Sequence, residues 1–264
     1  MDLTIYKNKL KNDGVVLIKN FFDVKEMSDF QAIEQKSIQK PSLFSNFIRQ
    51  EDNLSKFFID FNNWRKVPEI EALIKNKKLI KLIKNLTGSR SCWIHHDNFF
   101  SKTGKADETP WHTDRAYYIF KGNLNLSVWI PFQDIPKECS MKFLKGSHKT
   151  EKMMIPDSES NFLPFKLDSI NKNDYSVIDQ DLISKYEEIS FEIKLGDILI
   201  FFNNTVHGAK GHSFNFTRKA ISMRYLMDGA RLTKKYIFAN PPFDKFSIKI
   251  EEDGEIPEYW FPKI

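Results

Sequence analysis

The sequence predicts an α+β protein in which short strands form a barrel or jelly roll and helices pack on its outside. Three observations carry this. The first 90 residues hold helix-start and helix-stop signals around apolar residues at helical spacing. From about Ser91 the pattern shifts to short β-rich runs bounded by Gly, Pro, Asn and Asp: CWIHHDNFFSK, LNLSVWIPFQDI, ISFEIKLGDILIFF and RKAISMRYLM. The composition, 41% hydrophobic and 28% charged, is that of a folded globular chain, and its 264 residues suit one large core.

Taken in order, GVVLIKNFF (14–22) reads as a short buried strand. Asp23 with Glu26 makes a capping box, and Val24, Met27, Phe30 and Ile33 follow at helical spacing. Pro68 suits the first position of a helix. Leu79, Ile80, Leu82, Ile83 and Leu86 share one helical face, and Gly88 can end that helix. The expected organisation is a single domain over 1–264: mainly helical support over 1–90, a barrel over 91–240, and a C-terminal tail over 241–264. The polar, irregular stretch 150–185 reads as an insertion between strands, either a surface loop with no part in binding or a lid that passes over the open end of the barrel. It holds Met153, Met154, Ile155, Phe162, Leu163 and Phe165 among polar residues.

The net charge of +5 comes from 40 basic and 35 acidic residues, which argues solubility rather than a nucleic-acid groove. The densest basic run, NKKLIKLIK, is the solvated face of a helix. No run approaches 18 apolar residues, so no membrane span is expected. The opening MDLTIYKNKLKNDG lacks a signal-peptide core. Two cysteines, Cys92 and Cys139, are too few for a disulfide scaffold, and a reducing, cytoplasmic setting fits.

The chemistry concentrates in Pro110-Trp111-His112-Thr113-Asp114. On an extended segment, residues two apart point to the same side, so His112 and Asp114 can present an imidazole and a carboxylate to one point. His207, just after the strand 197–202, is the next candidate. Two histidines and one carboxylate on one face of a metal make the facial triad of non-haem iron(II) oxygenases, which leaves positions open for a co-substrate and oxygen. Alone, His-x-Asp arises easily by chance. Arg218, on RKAIS, adds weight. An arginine facing into a barrel is costly unless paired with an anion, and its planar fork suits a carboxylate. A dicarboxylate chelating the metal at one end would reach it with the other. On the surface it would be an ordinary strand arginine.

These segments resemble the phytanoyl-CoA dioxygenase family of iron(II)- and 2-oxoglutarate-dependent oxygenases. The resemblance rests on PWHTD, SVWIPFQDI, CSMKFLKGSHK and GDILIFFNNTVHGAKG with its following TRKAIS. MRYLMDGARLTKKYIFANPPF and the opening GVVLIKNFF add to it. It implies a double-stranded β-helix with iron held by His112, Asp114 and His207, and 2-oxoglutarate anchored by Arg218. It implies oxidation, most simply hydroxylation, of a C–H bond with O2, releasing succinate and CO2. Related halogenases replace the carboxylate with a small residue, so Asp114 argues against halogenation.

By the same resemblance, Lys102, Trp129 and Asn98 are co-substrate contacts. Ala209 stands where some relatives carry a hydroxyl, which leaves Thr217 or Ser222 to supply it. Trp111, Arg115, Tyr117 and Arg224 are candidates for the substrate, expected to be a small, polar or anionic metabolite. His148 reads as part of a structural turn, His95 and His96 as strand packing, and His212 as exposed. The other readings are an acyl-CoA hydroxylase and a barrel that binds metal or ligand without turnover.

Overall fold

The computed structural model describes residues 2–42, 55–104, 108–156, 170–210 and 217–264. Helix α1 (Leu3–Asp13) starts at Asp2, whose carboxylate accepts from the Thr4 N–H at 2.9 Å. It ends at Gly14, whose φ of 83° suits glycine, and a Cβ there would meet His148 Nδ1 at 2.5 Å. Strand β1 (Val15–Ile18) follows, then α2 (Val24–Gln39), which carries the expected Asp23/Glu26 capping box. Helix α3 (Pro68–Ile74) has proline in its first turn, and α4 (Lys77–Thr87) runs from the Asn76 cap to Gly88. Leu79, Leu82, Ile83 and Leu86 of α4 are buried, while Lys77, Lys78 and Lys81 face solvent. The first 90 residues also contain an unexpected strand, β2 (Ser55–Phe61). Its run FFIDF has one polar break, Asp60, which is itself buried and accepts from the Ser42 N–H at 2.8 Å. With Ile59, Asp60 and Phe61 buried in succession, this part of the strand shows no polar alternation to read.

Further strands follow among the described residues: β3 (Cys92–Gly104), β4 (Thr109–His112), β5 (Phe120–Lys121), β6 (Leu126–Pro131), β7 (Met141–Leu144), β8 (Met153–Pro156), β9 (Tyr175–Ile178), β10 (Glu188–Ser190), β11 (Ile198–Phe202), β12 (His207–Ala209) and β13 (Arg218–Met227). The short β14 (Arg231–Leu232) pairs with β5, and α5 (Gln180–Ile183) follows β9. Six strands form an antiparallel sheet in the order β1-β11-β6-β13-β3-β2, and four form a second in the order β10-β7-β12-β4. The two sheets make the double-stranded β-helix.

Period-two alternation sorts the side chains. On the six-stranded sheet, Val16, Ile18, Val128, Ile200, Ile221 and Met223 share an outer core with Leu10, Ile33, Ile70, Leu82 and Ile83 of the helices. Their alternates Val15, Trp129, Leu199, Phe201 and Ala220 turn inward, against Phe143 of the four-stranded sheet. The helices thus cover one face, and the other is left to line a cavity.

The ends of the 150–185 stretch are ordered. β8 and β9 pair in parallel, and β8 is fully buried. Met153 and Ile155 pack beside Tyr117 and Tyr118, whereas Phe162, Leu163 and Phe165 lie outside the described residues. The C-terminal stretch closes the far end of β3. Ile264 donates to Cys92 O at 2.8 Å, and Phe243 and Phe261 are buried beside Phe120. Both cysteines are buried and free. No helix among the described residues is long and apolar enough to cross a membrane.

Candidate active site

His112 ends β4 and His207 begins β12, and the two are direct antiparallel partners. Their rings lie 4.4 Å apart. Thr113 is extended (φ −105°, ψ 133°), which brings Asp114 to the same side before the chain enters a 3-10 turn. Asp114 Oδ1 then sits 3.7 Å from His112 Nε2 and 3.8 Å from His207 Nε2. One donor atom from each of the three lies within 4.8 Å of the others.

The remaining ring nitrogens are held by the backbone. His112 Nδ1 is 2.7 Å from Pro110 O, and His207 Nδ1 is 2.9 Å from Thr205 O. A carbonyl can only accept, so each Nδ1 carries the proton and each Nε2 keeps its lone pair for a metal. Burial, with His112 alongside, pushes His207 down to about 4 and keeps it neutral. Burial alone would raise Asp114. Arg224 and the two histidines outweigh it and hold the carboxyl well below its usual range. Two imidazoles and one carboxylate, facing a cavity, suit a divalent iron with open positions.

Behind Asp114 lies a buried polar cluster. Its Oδ2 is 3.1 Å from the Ser127 hydroxyl and 3.6 Å from Arg224 Nη2. Arg224 also donates to Tyr118 Oη at 2.9 Å and to Ser222 O at 3.1 Å. With the Asn98 amide oriented to suit its neighbours, its oxygen accepts from Arg224 Nη1 at 3.0 Å and its nitrogen donates to His96 Nε2 at 3.2 Å. Arg224 and Asn98 therefore border the cavity but are engaged with the ligand carboxylate and its surroundings.

Toward the other end of β4 and β12, Lys102 and Arg218 stand opposite each other on β3 and β13 and line the same cavity of about 180 Å³. Lys102 is 1% exposed, and its ammonium donates to Thr109 Oγ1 at 3.1 Å. Arg218 donates to the Cys139 carbonyl and has no carboxylate partner among the described residues. Burial pushes its pKa down to about 10. Trp129, Ser222 and Ala209 also line the cavity, and the Ser222 hydroxyl is buried without a partner among the described residues.

The remaining expected residues divide. Tyr117 lines the cavity, with its ring 6.0 Å from that of His112. Trp111 instead packs with Leu144, Met154 and Val206, and Arg115 is absent from the cavity wall. His148 Nε2 lies 3.1 Å from Lys11 O and its ring stacks on Phe202, a tie between α1 and the barrel. His95 and His96 are both buried in a ring cluster with Tyr118 and Phe243. His212 lies outside the described residues. Sequence reasoning missed Ser127 as a partner of Asp114, although its alternation with Trp129 put both on one face. It also missed Phe238 and Asn240, which reach the cavity from a segment with no strand or helix signal.

Fold and site together define an iron- and 2-oxoglutarate-dependent oxygenase with the triad His112, Asp114 and His207. The chain belongs to the phytanoyl-CoA dioxygenase (PhyH) family, whose profile matches residues 10–220. No curated protein matches the chain. Among solved structures, it is similar to SnoN, a non-heme alpha ketoglutarate dependent epimerase from nogalamycin biosynthesis. The identity is 17%, over 99% of this chain and 98% of that one, with a TM-score of 0.73. SnoK, the carbocyclase of the same biosynthesis, aligns at 16% identity over 98% and 95%, with a TM-score of 0.74. EctD from S. alaskensis, solved with 2-oxoglutarate and 5-hydroxyectoine, aligns at 20% identity over 87% and 78%, with a TM-score of 0.69. At these identities the structures establish the shared fold.

Proposed function

We propose that the protein oxidises, most simply hydroxylates, a C–H bond of a small molecule, consuming 2-oxoglutarate and O2 and releasing succinate and CO2. The observation that carries this is the half-buried Arg218, turned into the cavity that holds the triad and without a carboxylate partner among the described residues. A partly desolvated guanidinium facing a cavity calls for an anion, and its fork fits a carboxylate.

In this reading His112, Asp114 and His207 hold iron(II). Arg218 binds the distal carboxylate of 2-oxoglutarate, with Lys102 adding positive charge and Ser222 a hydroxyl in place of the one absent at Ala209. Trp129 walls the co-substrate. The iron supplies oxygen activation coupled to decarboxylation of the co-substrate. The chain's own part is to hold the two histidines and the ionised Asp114 in register, bind the dicarboxylate and exclude water from the cavity.

A polar or anionic substrate was expected from Arg115 and Arg224. Arg115 does not line the cavity and Arg224 is engaged with Asp114, so neither supports that charge preference. The test is succinate formation from 2-oxoglutarate under air by the iron(II)-loaded protein, with and without His112→Ala. Iron-dependent succinate from the wild type, absent in the variant, is expected. No 2-oxoglutarate binding by the iron-loaded protein would overturn the reading.

A further inference from the structure

The cavity has two unlike ends. Lys102, Thr109 and Arg218 form one, with two cations. The other lies past Asp114, where two stretches of chain are zipped together. Ile237 N–H donates to Ala116 O at 2.9 Å, and Asn240 N–H donates to Tyr117 O at 3.0 Å. This sets the Phe238 and Tyr117 rings 5.2 Å apart, and Pro156 of β8 and Asn240 extend the same wall. The arginine at this end, Arg224, already serves Asp114, Tyr118 and the Ser222 carbonyl.

The Tyr117 hydroxyl is the exception in this neutral wall. The residue is 6% exposed, and its oxygen is buried without a hydrogen-bond partner among the described residues. Tyrosine hydroxyls in protein interiors usually find a partner. The residue lines the cavity, and its ring centroid lies 6.0 Å from that of the metal-ligating His112. An acceptor oxygen on a bound molecule would supply what the protein does not. An anionic group would be a poor occupant: it would be stripped of water near the ionised Asp114, with no uncommitted cation among the described residues of this wall.

We propose that this end of the cavity takes a neutral, largely hydrocarbon or aromatic substrate bearing a hydrogen-bond acceptor such as a carbonyl, ether or hydroxyl oxygen. Tyr117 is the specificity-determining residue: its hydroxyl engages that acceptor and thereby selects the C–H bond held nearest His112 and Asp114. The assignment rests on the reading that 2-oxoglutarate occupies the Arg218 end.

The experiment uses the iron(II)-loaded protein without oxygen. A calorimetric titration with 2-oxoglutarate comes first, followed by three matched probes: tetralin, 1-tetralone and a 1-tetralone carboxylate. Wild type should bind 1-tetralone about ten-fold more tightly than either of the others, the scale of one buried hydrogen bond. Tyr117→Phe should bring 1-tetralone to the level of tetralin and leave tetralin unchanged. Tightest binding of the carboxylate, no binding of any probe, or an unchanged tetralone-to-tetralin ratio in Tyr117→Phe would overturn the proposal. The wild-type order decides even if the variant does not fold. The first titration separates the two readings. Failure of 2-oxoglutarate to bind sinks the co-substrate assignment, whereas a good isotherm followed by the wrong probe order sinks the substrate class alone.

Discussion

Arg224 braces the metal-ligating carboxylate from behind. Its Nη2 lies 3.6 Å from Asp114 Oδ2, while Oδ1 of the same carboxylate faces His112 and His207. Ser127 contacts Oδ2 as well, so one oxygen is assigned to the protein and the other is left for the metal. Such outer partners typically contribute about 10–100-fold to metal affinity. Ser127→Ala should weaken iron(II) or cobalt(II) binding toward the low end of that range. Arg224→Met leaves Asp114 buried without its counter-charge and should weaken binding toward the high end. Equilibrium dialysis of each variant against the metal is the measurement. Affinities equal to wild type would show that Arg224 and Ser127 do not position the ligand.

Arg218→Lys keeps the positive charge but loses the planar fork. The 2-oxoglutarate concentration for half-maximal succinate formation should rise about ten-fold or more, the cost of a charge-assisted hydrogen bond. The iron requirement should stay near wild type, because the residue sits at the far end of the cavity from Arg224. A matching rise in both requirements would instead point to general disruption of the barrel.

The metal triad was legible because it is local. His112 and Asp114 fall two apart on an extended segment, and His207 follows a strand whose residues are all apolar. The surroundings of the triad were harder to read. Arg224 lies on the same strand face as Arg218, and nothing in the alternation says that one meets a carboxylate of the protein and the other faces open space. That difference is set by the turn that begins at Asp114, which brings its Oδ2 within 3.6 Å of Arg224 Nη2. Strand β2 escaped notice because the successive burial of Ile59, Asp60 and Phe61 erases its alternation. Phe238 and Asn240 escaped because backbone bonds to Ala116 and Tyr117, rather than a helix or strand, place them.

His95 should set part of the acid sensitivity of the fold. It is 1% exposed, packed among Tyr118, Phe120 and Phe261, and neither ring nitrogen has a partner among the described residues. Burial, then the nearby Arg224, pushes its pKa from 6.5 to about 3. Above the unfolded value both states are neutral and the shift contributes nothing. Between the two values only the unfolded chain takes up the proton, so stability falls as pH falls, by about 2 kcal/mol at pH 5. His95→Leu, of similar volume, removes this term and two unsatisfied nitrogens. Denaturant unfolding should show the variant more stable by about 1–3 kcal/mol near neutral pH, with the advantage widening toward pH 5. A constant difference between the two pH values would rule out this origin.

Thr113 links the triad to the strand beside it, and it separates the two ligands His112 and Asp114 in the chain. Its hydroxyl donates to Met154 O at 3.0 Å and accepts from Met154 N–H at 3.1 Å, while its own N–H donates to Met154 O at 2.9 Å. All of this is buried, and β8 is in turn paired with β9, so the turn bearing Asp114 is fixed to the start of the 150–185 stretch. Thr113→Val preserves shape and the backbone bond, but it strands the Met154 N–H. That should cost about 1–3 kcal/mol of stability. Because the loss falls between two metal ligands, metal affinity should drop as well, whereas a residue that served only packing would change the unfolding midpoint alone. Amide exchange supplies the local readout. Met154 should be slow in wild type whether or not iron and 2-oxoglutarate are present, and should speed up in the variant. Fast exchange of Met154 in the wild type would mean that β8 moves freely past the site and that Thr113 does not anchor it.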